Sequence, residues 1–586
     1  MNALRRITAV LDGLTLGCIL ILIAIIVTGG WKGEILQVRI SAHRPENPGI
    51  ALLVLLLLRK LIDWKTPIRD IPLVRSVSGI LARLSPFMER NAHVVLATLI
   101  TGYIAIVGAV VCMKHSVFQS HAYDLGIFSQ LFWSAANGFG LQSSILGHHF
   151  LGEHFSPILY LLVPGYRVWP SPFYLLIVQT VALAIAAIPL YLLASSVLKS
   201  RNWGILFAFL YLCYQPMRNV NLYDFHEIAL ATPLILLAFY LLHRKMNLLF
   251  LLVLCVALAC KEEIAEIVFI FGVYIFWFQK RRLFGSLLAF SGIAIFFALI
   301  LLVIPSFRNA PYGFVGRYSY LGQDILSIVT TLATRPLFVL SHVLTKDKLE
   351  YVWDVFGPVG LLSFASPSHF LLTIPTLLQN LLSDCPPQYS ISFQYTSALT
   401  PFVFISAVFG ARRLLLKGQT CDSPSSAPSI QKSCMPVLLL LLSLALFGKS
   451  PMFHIREYRP TPYTRLVKEY VLHRIPSDAS VSAQEPFVAH LTSRRELYEF
   501  PVVRDAEYVF LDSAANKWPL TDEAYFRSVR GIMRTPYRIV LSNGSLLLLE
   551  RSHLTADQVR QLPNEFLTKS EPRDERTVEQ SPPPYR

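Results

Sequence analysis

Residues 280–305 read Lys280-Arg281-Arg282 followed by LFGSLLAFSGIAIFFALILLVIP, a run in which no side chain carries a charge. A helix needs about 20 apolar residues to cross the ~30 Å hydrocarbon core of a bilayer, and this run meets that length. Outward from it, apolar runs recur along the chain. They predict helices near residues 7–28, 49–62, 92–113, 172–197, 203–216, 228–242, 247–260, 264–278, 283–305, 353–366, 368–382, 397–411 and 434–448, which makes about thirteen spans. The shorter ones need the shelter of a bundle. Of the 586 residues, 54% are hydrophobic and 15% charged, and the mean hydropathy is +0.50. That composition excludes a soluble globular chain. The run from Ile7 to Thr28 follows Arg5 and Arg6 as a signal peptide would, but with no small-x-small cleavage site it reads as an anchor.

A formal charge of +15 raises the question of nucleic acid, and the placement of Lys and Arg answers it. With the N-terminus inside, the cytoplasmic segments collect Arg59, Lys60, Lys65, Arg69, Arg75, Arg83 and Arg90, then Lys199 with Arg201, Arg244 with Lys245, Lys280 to Arg282, and Arg412, Arg413 and Lys417. The turn at 383–396 on the other side has neither Lys nor Arg. The basic charge thus follows the positive-inside rule, and the expected partner is the lipid bilayer, with no nucleic acid. The expected location is the inner (plasma) membrane, multi-pass, with everything after about Lys449 outside the cytoplasm.

The expected fold class is therefore an α-helical polytopic membrane protein with a small C-terminal extracytoplasmic α/β domain. Residues 1–91 form a two-span extension with a basic cytoplasmic segment. Residues 92–448 form the transmembrane domain, with large outer loops near 114–171 and 306–352. In the soluble domain, 449–570, strands are expected at Ser480–Ala483 and Tyr508–Asp512, and a hairpin at Tyr537–Glu550 about Asn543-Gly544. Residues 571–586, with Pro582-Pro583-Pro584 among charges, read as a disordered tail. The eight cysteines lie singly, none beyond Ser450, so a disulfide scaffold is not expected there.

Four polar clusters sit at the outer interface, where ionisable groups beside apolar segments mark functional sites. The first is His121-Ala122-Tyr123-Asp124-Leu125-Gly126, continuing through Gln130. At the surface Asp124 can take a proton from a hydroxyl acceptor while an apolar ligand stays in the bilayer, or it can simply cap a helix. The second, His148-His149-Phe150-Leu151-Gly152-Glu153-His154, has metal-site residue types but misses the H-x-x-E-H spacing by one residue, and Gly152 and Pro157 oppose one regular helix. The third joins Tyr223-Asp224-Phe225-His226-Glu227 to Lys261-Glu262-Glu263 at another reversal, either lining a pocket or forming self-contained caps and ion pairs. The fourth holds Arg317, Tyr320, Gln394 and Tyr395, with Arg317 the natural phosphate partner through paired guanidinium bonds. The sequence contains no phosphate-binding loop G-x-x-x-x-G-K-[ST], nucleophile elbow G-x-S-x-G or dinucleotide fingerprint G-x-G-x-x-G.

The segments Tyr123 to Gln130, Glu153-His154-Phe155-Ser156-Pro157, Asp224 to Glu227, Lys261-Glu262-Glu263, Tyr318 to Gly322, Pro375 with Asn380 to Ser383, Gln394-Tyr395, Ile475-Pro476, Val481 to Ala483 and His490-Leu491 together resemble a bacterial and archaeal family of predicted membrane proteins. That family is known only as a domain of unknown function and is allied to the GT-C superfamily of membrane glycosyltransferases. The resemblance covers roughly residues 115–515. It implies a GT-C-like bundle and transfer from a polyprenyl-phosphate sugar donor to an extracytoplasmic acceptor, with an acidic residue of the first large outer loop as base or metal contact. Asp124 matches that position, although the paired acid common in the superfamily is absent beside it. On this reading Asp124 is catalytic. Gln130, Glu153, His154, Asp224, His226, Glu227, Lys261, Glu262, Arg317, Tyr320, Gln394 and Tyr395 bind substrate. A divalent cation is the candidate cofactor, with Asp124, Glu153 and His154 its candidate ligands. A flippase of lipid-linked saccharide is the competing reading, disfavoured by the lack of broken midspan helices, and a non-catalytic assembly protein is the third.

Overall fold

The computed structural model describes residues 2–28, 31–35, 38–42, 46–64, 66–417, 434–446 and 457–552. The expected tail at 571–586, both ends of the expected soluble domain and the close of the last expected span lie outside the described residues. The chain is mostly helical. Among the described residues, Arg6–Ile25, Ala92–Ser116, Pro172–Leu198 and Arg282–Arg308 are long and apolar enough to cross a membrane singly. The pair Ile325–Thr334 and Pro336–Val343, bent by 97°, makes a fifth if taken as one span. Glu227–His243, Asn247–Leu258, Ile264–Phe278 and Met435–Leu446 are apolar but shorter.

Two expected spans are not continuous helices. Around 353–366 the helix Lys346–Phe356 gives way to tight turns at Gly357–Val359 and Leu362–Ala365, because Pro358 follows at once and Gly360 and Leu361 take φ of 65° and 55°. Around 368–382 the chain forms Pro367–Phe370, Leu371–Thr373 and Ile374–Leu381, interrupted at Pro375. The basic segment after the second span contains an amphipathic helix, Pro72–Arg90, that the search for apolar runs passes over. Both long loops also carry helices, Ile127–Ala136 and Leu159–Val168 in the first and the bent pair in the second.

The packed centre draws on helices 92–116, 172–198, 201–212, 231–243, 264–278 and 400–417, with Trp203, Phe207, Phe239 and Phe271 fully buried among them. Ile264–Phe278 and Arg282–Ala298 approach through glycines. A methyl on Gly272 would fall 2.3 Å from the Ala289 nitrogen, and one on Gly285 2.5 Å from that of Phe276. This contact fixes the wall that Phe296 and Ile300 later present to the site.

The C-terminal residues build a five-stranded mixed sheet in the order Leu497–Glu499, Val481–Ala483, Tyr508–Asp512, Leu546–Arg551, Tyr537–Asn543. The first two neighbour pairs run parallel and the other two antiparallel. Gly544 (φ 60°) makes the expected hairpin turn. Alternation sends Val509, Leu511, Leu547 and Leu549 under helix Asp522–Ile532. Phe510, Leu546 and Leu548 face the other way and pack with Phe118 and Ala122 of the first long loop. The sheet is thus fastened to the segment that carries Asp124.

Candidate functional site

A cavity of about 580 Å³ opens between the 121–154 segment, the two reversals at 226–227 and 261–263, and residues 312–329. Asp124, Glu153, His154, His226, Glu227, Lys261, Glu262, Arg317, Gln394 and Tyr395, all chosen from sequence, line this single space. Part of its lining is apolar, including Phe296 and Ile300 with Ile325, Ile328 and Val329 of the bent pair.

Asp124 lies in the wide helical turn Ala122–Gly126. Its Oδ1 is 2.9 Å from His226 Nε2, and Tyr223 donates its hydroxyl to Oδ2 at 2.9 Å. A carboxylate offers about four lone-pair sites, so two remain for a ligand. Gln179 holds the opposite loop: the His226 N–H donates to its Oε1 at 2.8 Å, and its amide donates to the Asp224 carbonyl at 2.7 Å. Asp224 itself does not line the cavity. It is 2% exposed behind the wall, where it accepts from the backbone and ring nitrogens of His121, each at 2.8 Å, and pairs with Lys114 at 3.8 Å. Burial alone would raise its carboxyl, and these cations outweigh it and hold the group below the ordinary range.

Glu262 accepts from Tyr312 and meets His154 Nδ1, both at 2.8 Å, and takes the Phe155 N–H at 3.0 Å. Burial opposes its charge, yet His154 and these donors bring its carboxyl down to about 2, so it is a fixed anion. Glu153 is held by Arg308 at 3.0 Å and His148 at 3.1 Å. Gly152 makes this possible, since a Cβ there would stand 2.8 Å from the Arg308 nitrogen. Glu227 pairs with Lys261 at 3.2 Å, both nearly sealed from solvent.

Arg317 also lines the cavity, its guanidinium over Phe314 at 4.6 Å and Tyr395 at 5.3 Å. It gives one bond to Gln388 at 3.2 Å. Gln130 is removed from the cavity: its side chain bonds Ser143, Ser144 and the carbonyls of Arg494 and Arg495, tying the first loop to the C-terminal sheet. Tyr320 also lies outside it, donating to the Leu382 carbonyl at 2.8 Å and stacking on His342.

For a cation, the structure gathers a trio other than the expected Asp124, Glu153 and His154. Ligand atoms of His121, Asp124 and Asp224 lie within 4.8 Å of one another, a nitrogen and two carboxylates that suit a divalent ion by donor type. Among the lining residues passed over from sequence are Tyr312 and Glu266, while Tyr123 and Tyr318 stood in the polar clusters without a site role. Glu266 stood inside an apolar run, and a lone acid there is the signal that should have drawn attention.

No curated protein matches the chain. Residues 114–547, which hold the whole cavity, match the family described as predicted membrane protein (DUF2079), and the chain belongs to that family.

Proposed function

We propose that this protein is a GT-C-type inverting glycosyltransferase, moving a sugar from a polyprenyl-phosphate donor to an extracytoplasmic acceptor. The observation that carries the reading is one cavity that Asp124 and the other polar groups share with the apolar side chains of Phe296, Ile300, Ile325, Ile328 and Val329, as a lipid-linked sugar requires. Asp124 takes the acceptor hydroxyl's proton as its oxygen attacks the anomeric carbon. The bond from that carbon to phosphate breaks, and the polyprenyl phosphate leaves toward Arg317. His226 and Tyr223 orient the carboxylate. Were a divalent cation bound, His121, Asp124 and Asp224 are the clustered donors that would hold it, Asp124 alone of them facing the cavity, and it would supply positive charge on the acceptor side at Asp124.

In this reading the chain crosses the inner membrane several times, with the shorter apolar helices sheltered by the bundle and the broken 353–382 region left out of the count. The N-terminus is cytoplasmic, and the C-terminal sheet forms a soluble α/β domain outside, where it receives the acceptor. The test is transfer of labelled sugar in membrane vesicles from a panel of polyprenyl-phosphate donors. Transfer by the unmodified protein should fall about 100-fold or more in Asp124→Asn at equal folded amounts. An inactive unmodified protein, beside a known transferase active on the same panel, would remove the reading.

One observation favours the flippase reading. The bent pair at 325–343 borders the cavity, and discontinuous helices at a binding site are a transporter feature. Translocation of a lipid-linked saccharide in the absence of acceptor would move the assignment there.

A further inference from the structure

Asp124, Glu153, Glu227, Glu262, Glu263 and Glu266 line the cavity, against fixed cations only at Lys261 and Arg317 among the described residues. An anionic donor alone is poorly matched to such a wall. Four of the acids are answered within the protein: Asp124 by His226 and Tyr223, Glu153 by Arg308, Glu262 by His154 and Tyr312, and Glu227 by Lys261. No hydrogen bond or ion pair among the described residues answers Glu263 or Glu266. They are three apart at the start of helix Ile264–Phe278, so both project from one face.

Acids in a first helical turn are ordinary, because the helix dipole favours them. Glu227 is not ordinary. It is 1% exposed and lines the same space, and neither of its oxygens accepts a hydrogen bond, its ion pair with Lys261 aside. With Lys261 at its Oε1, its Oε2 has neither hydrogen bond nor ion pair among the described residues, and such a buried oxygen is costly and is retained where a ligand supplies the donor. The missing donors are not those of a compact metal ion, since the trio close enough to hold one is His121, Asp124 and Asp224. A spread of carboxylates beside the rings of Tyr312 and Tyr318 suits an organic ammonium, whose N–H bonds diverge and whose charge is attracted by aromatic faces.

We propose that Glu263, Glu266 and Glu227 form a subsite for a positively charged amine on the headgroup of a lipid-anchored ligand. In the transferase reading, on which this rests, the transferred unit is an aminosugar. Arg317 takes the phosphate, the acidic wall the ammonium, and the apolar wall the first part of the lipid.

The probe is octyl β-glucosaminide, with octyl β-glucoside as the partner lacking the charge. The full chain in neutral detergent is incubated with the amine, and a carbodiimide then joins amines to the carboxylates they touch. The amides are located by mass spectrometry. Glu263 or Glu266 should couple saturably, at concentrations at least tenfold below those that couple the exposed Glu523. Coupling confined to Glu523 would overturn the proposal. So would equal suppression by octyl glucoside and by a second, non-coupling amine glycoside, or suppression by Mn²⁺ alone. Failed sugar transfer with coupling intact would remove the transferase and leave the amine site, and the converse would remove only the amine site.

Discussion

Asp224 and Asp124 illustrate two fates of acids at the same interface. Asp124 faces the cavity with two sites on its carboxylate unengaged, whereas Asp224 spends its lone pairs on His121 and Lys114. Removing one partner of a buried pair costs about 3–5 kcal/mol, because the other charge is stranded. Asp224→Ala should therefore lower the unfolding temperature of the detergent-solubilised protein strongly. Asp124→Asn should leave that temperature nearly unchanged while abolishing transfer. Equal melting of the two variants would deny the distinction. In the sequence both are aspartates beside aromatic residues at a reversal. What separates them is Lys114 and His121, more than a hundred residues before Asp224, and pairings of that range leave no local pattern. The cavity-lining acids at the reversals were legible for the opposite reason, since a charge beside an apolar run needs an explanation wherever the chain goes, whereas Glu266, inside its run, was read with the apolar residues around it.

Helices with long uniform apolar runs, such as Arg282–Arg308, could be read directly, since length against bilayer thickness is a one-dimensional test. The 353–382 region passed that test on composition and failed it on Pro358, Gly360, Pro367 and Pro375, which divide the run into turns. The helix Pro72–Arg90 was missed because one apolar face suffices for it. Its role is structural: Glu89 accepts from the backbone N–H groups of Arg201 and Asn202, each at 3.0 Å, and from Ser200 at 3.2 Å. A carboxylate from another helix thus caps helix Arg201–Leu212, adding dipole stabilisation to the cap. Glu89→Ala should cost about 1–2 kcal/mol, with Glu89→Gln recovering part of it by acceptor alone. Denaturant titration of the three proteins checks this, and equal midpoints would show that the cap contributes nothing.

At the scale of the whole molecule, the C-terminal sheet and the Asp124 loop form one packed unit, so conditions that loosen the sheet should reach the cavity. The seam is held by Ser129 with Thr492 at 2.8 Å, by Gln130, and by Phe118 against Phe487. It also contains Glu485 and Glu499, 4% and 6% exposed, each with an Oε1 that accepts no hydrogen bond. Glu485 faces His121, Asp224 and Asp124, and burial pushes its carboxyl up to about 7. Glu499 faces Tyr123, and burial, reinforced by the charge of Glu485, pushes it up to about 8. Both values exceed the ordinary 4.5, so the folded state holds more protons than the unfolded one across this window. Their contribution is complete below about pH 4.5 and is lost as pH rises through 7 and 8, at about 1.4 kcal/mol for each unit of separation. His490, stacked on His115 and kept neutral by burial, has the opposite sign and costs stability below about 6.5. Between pH 4.5 and 6.5 the two glutamates outweigh the one histidine, so the contribution of these groups should be greatest near pH 4.5 and decline from there to about pH 8. Between pH 5 and 8 the unfolding temperature should fall by several degrees, and Glu499→Gln, which cannot ionise, should flatten the decline. A profile already flat in the unmodified protein, or one that Glu499→Gln leaves unchanged, would show that the seam carries no such charge. A decline accompanied by loss of sugar transfer over the same window would tie the seam to the geometry of Asp124.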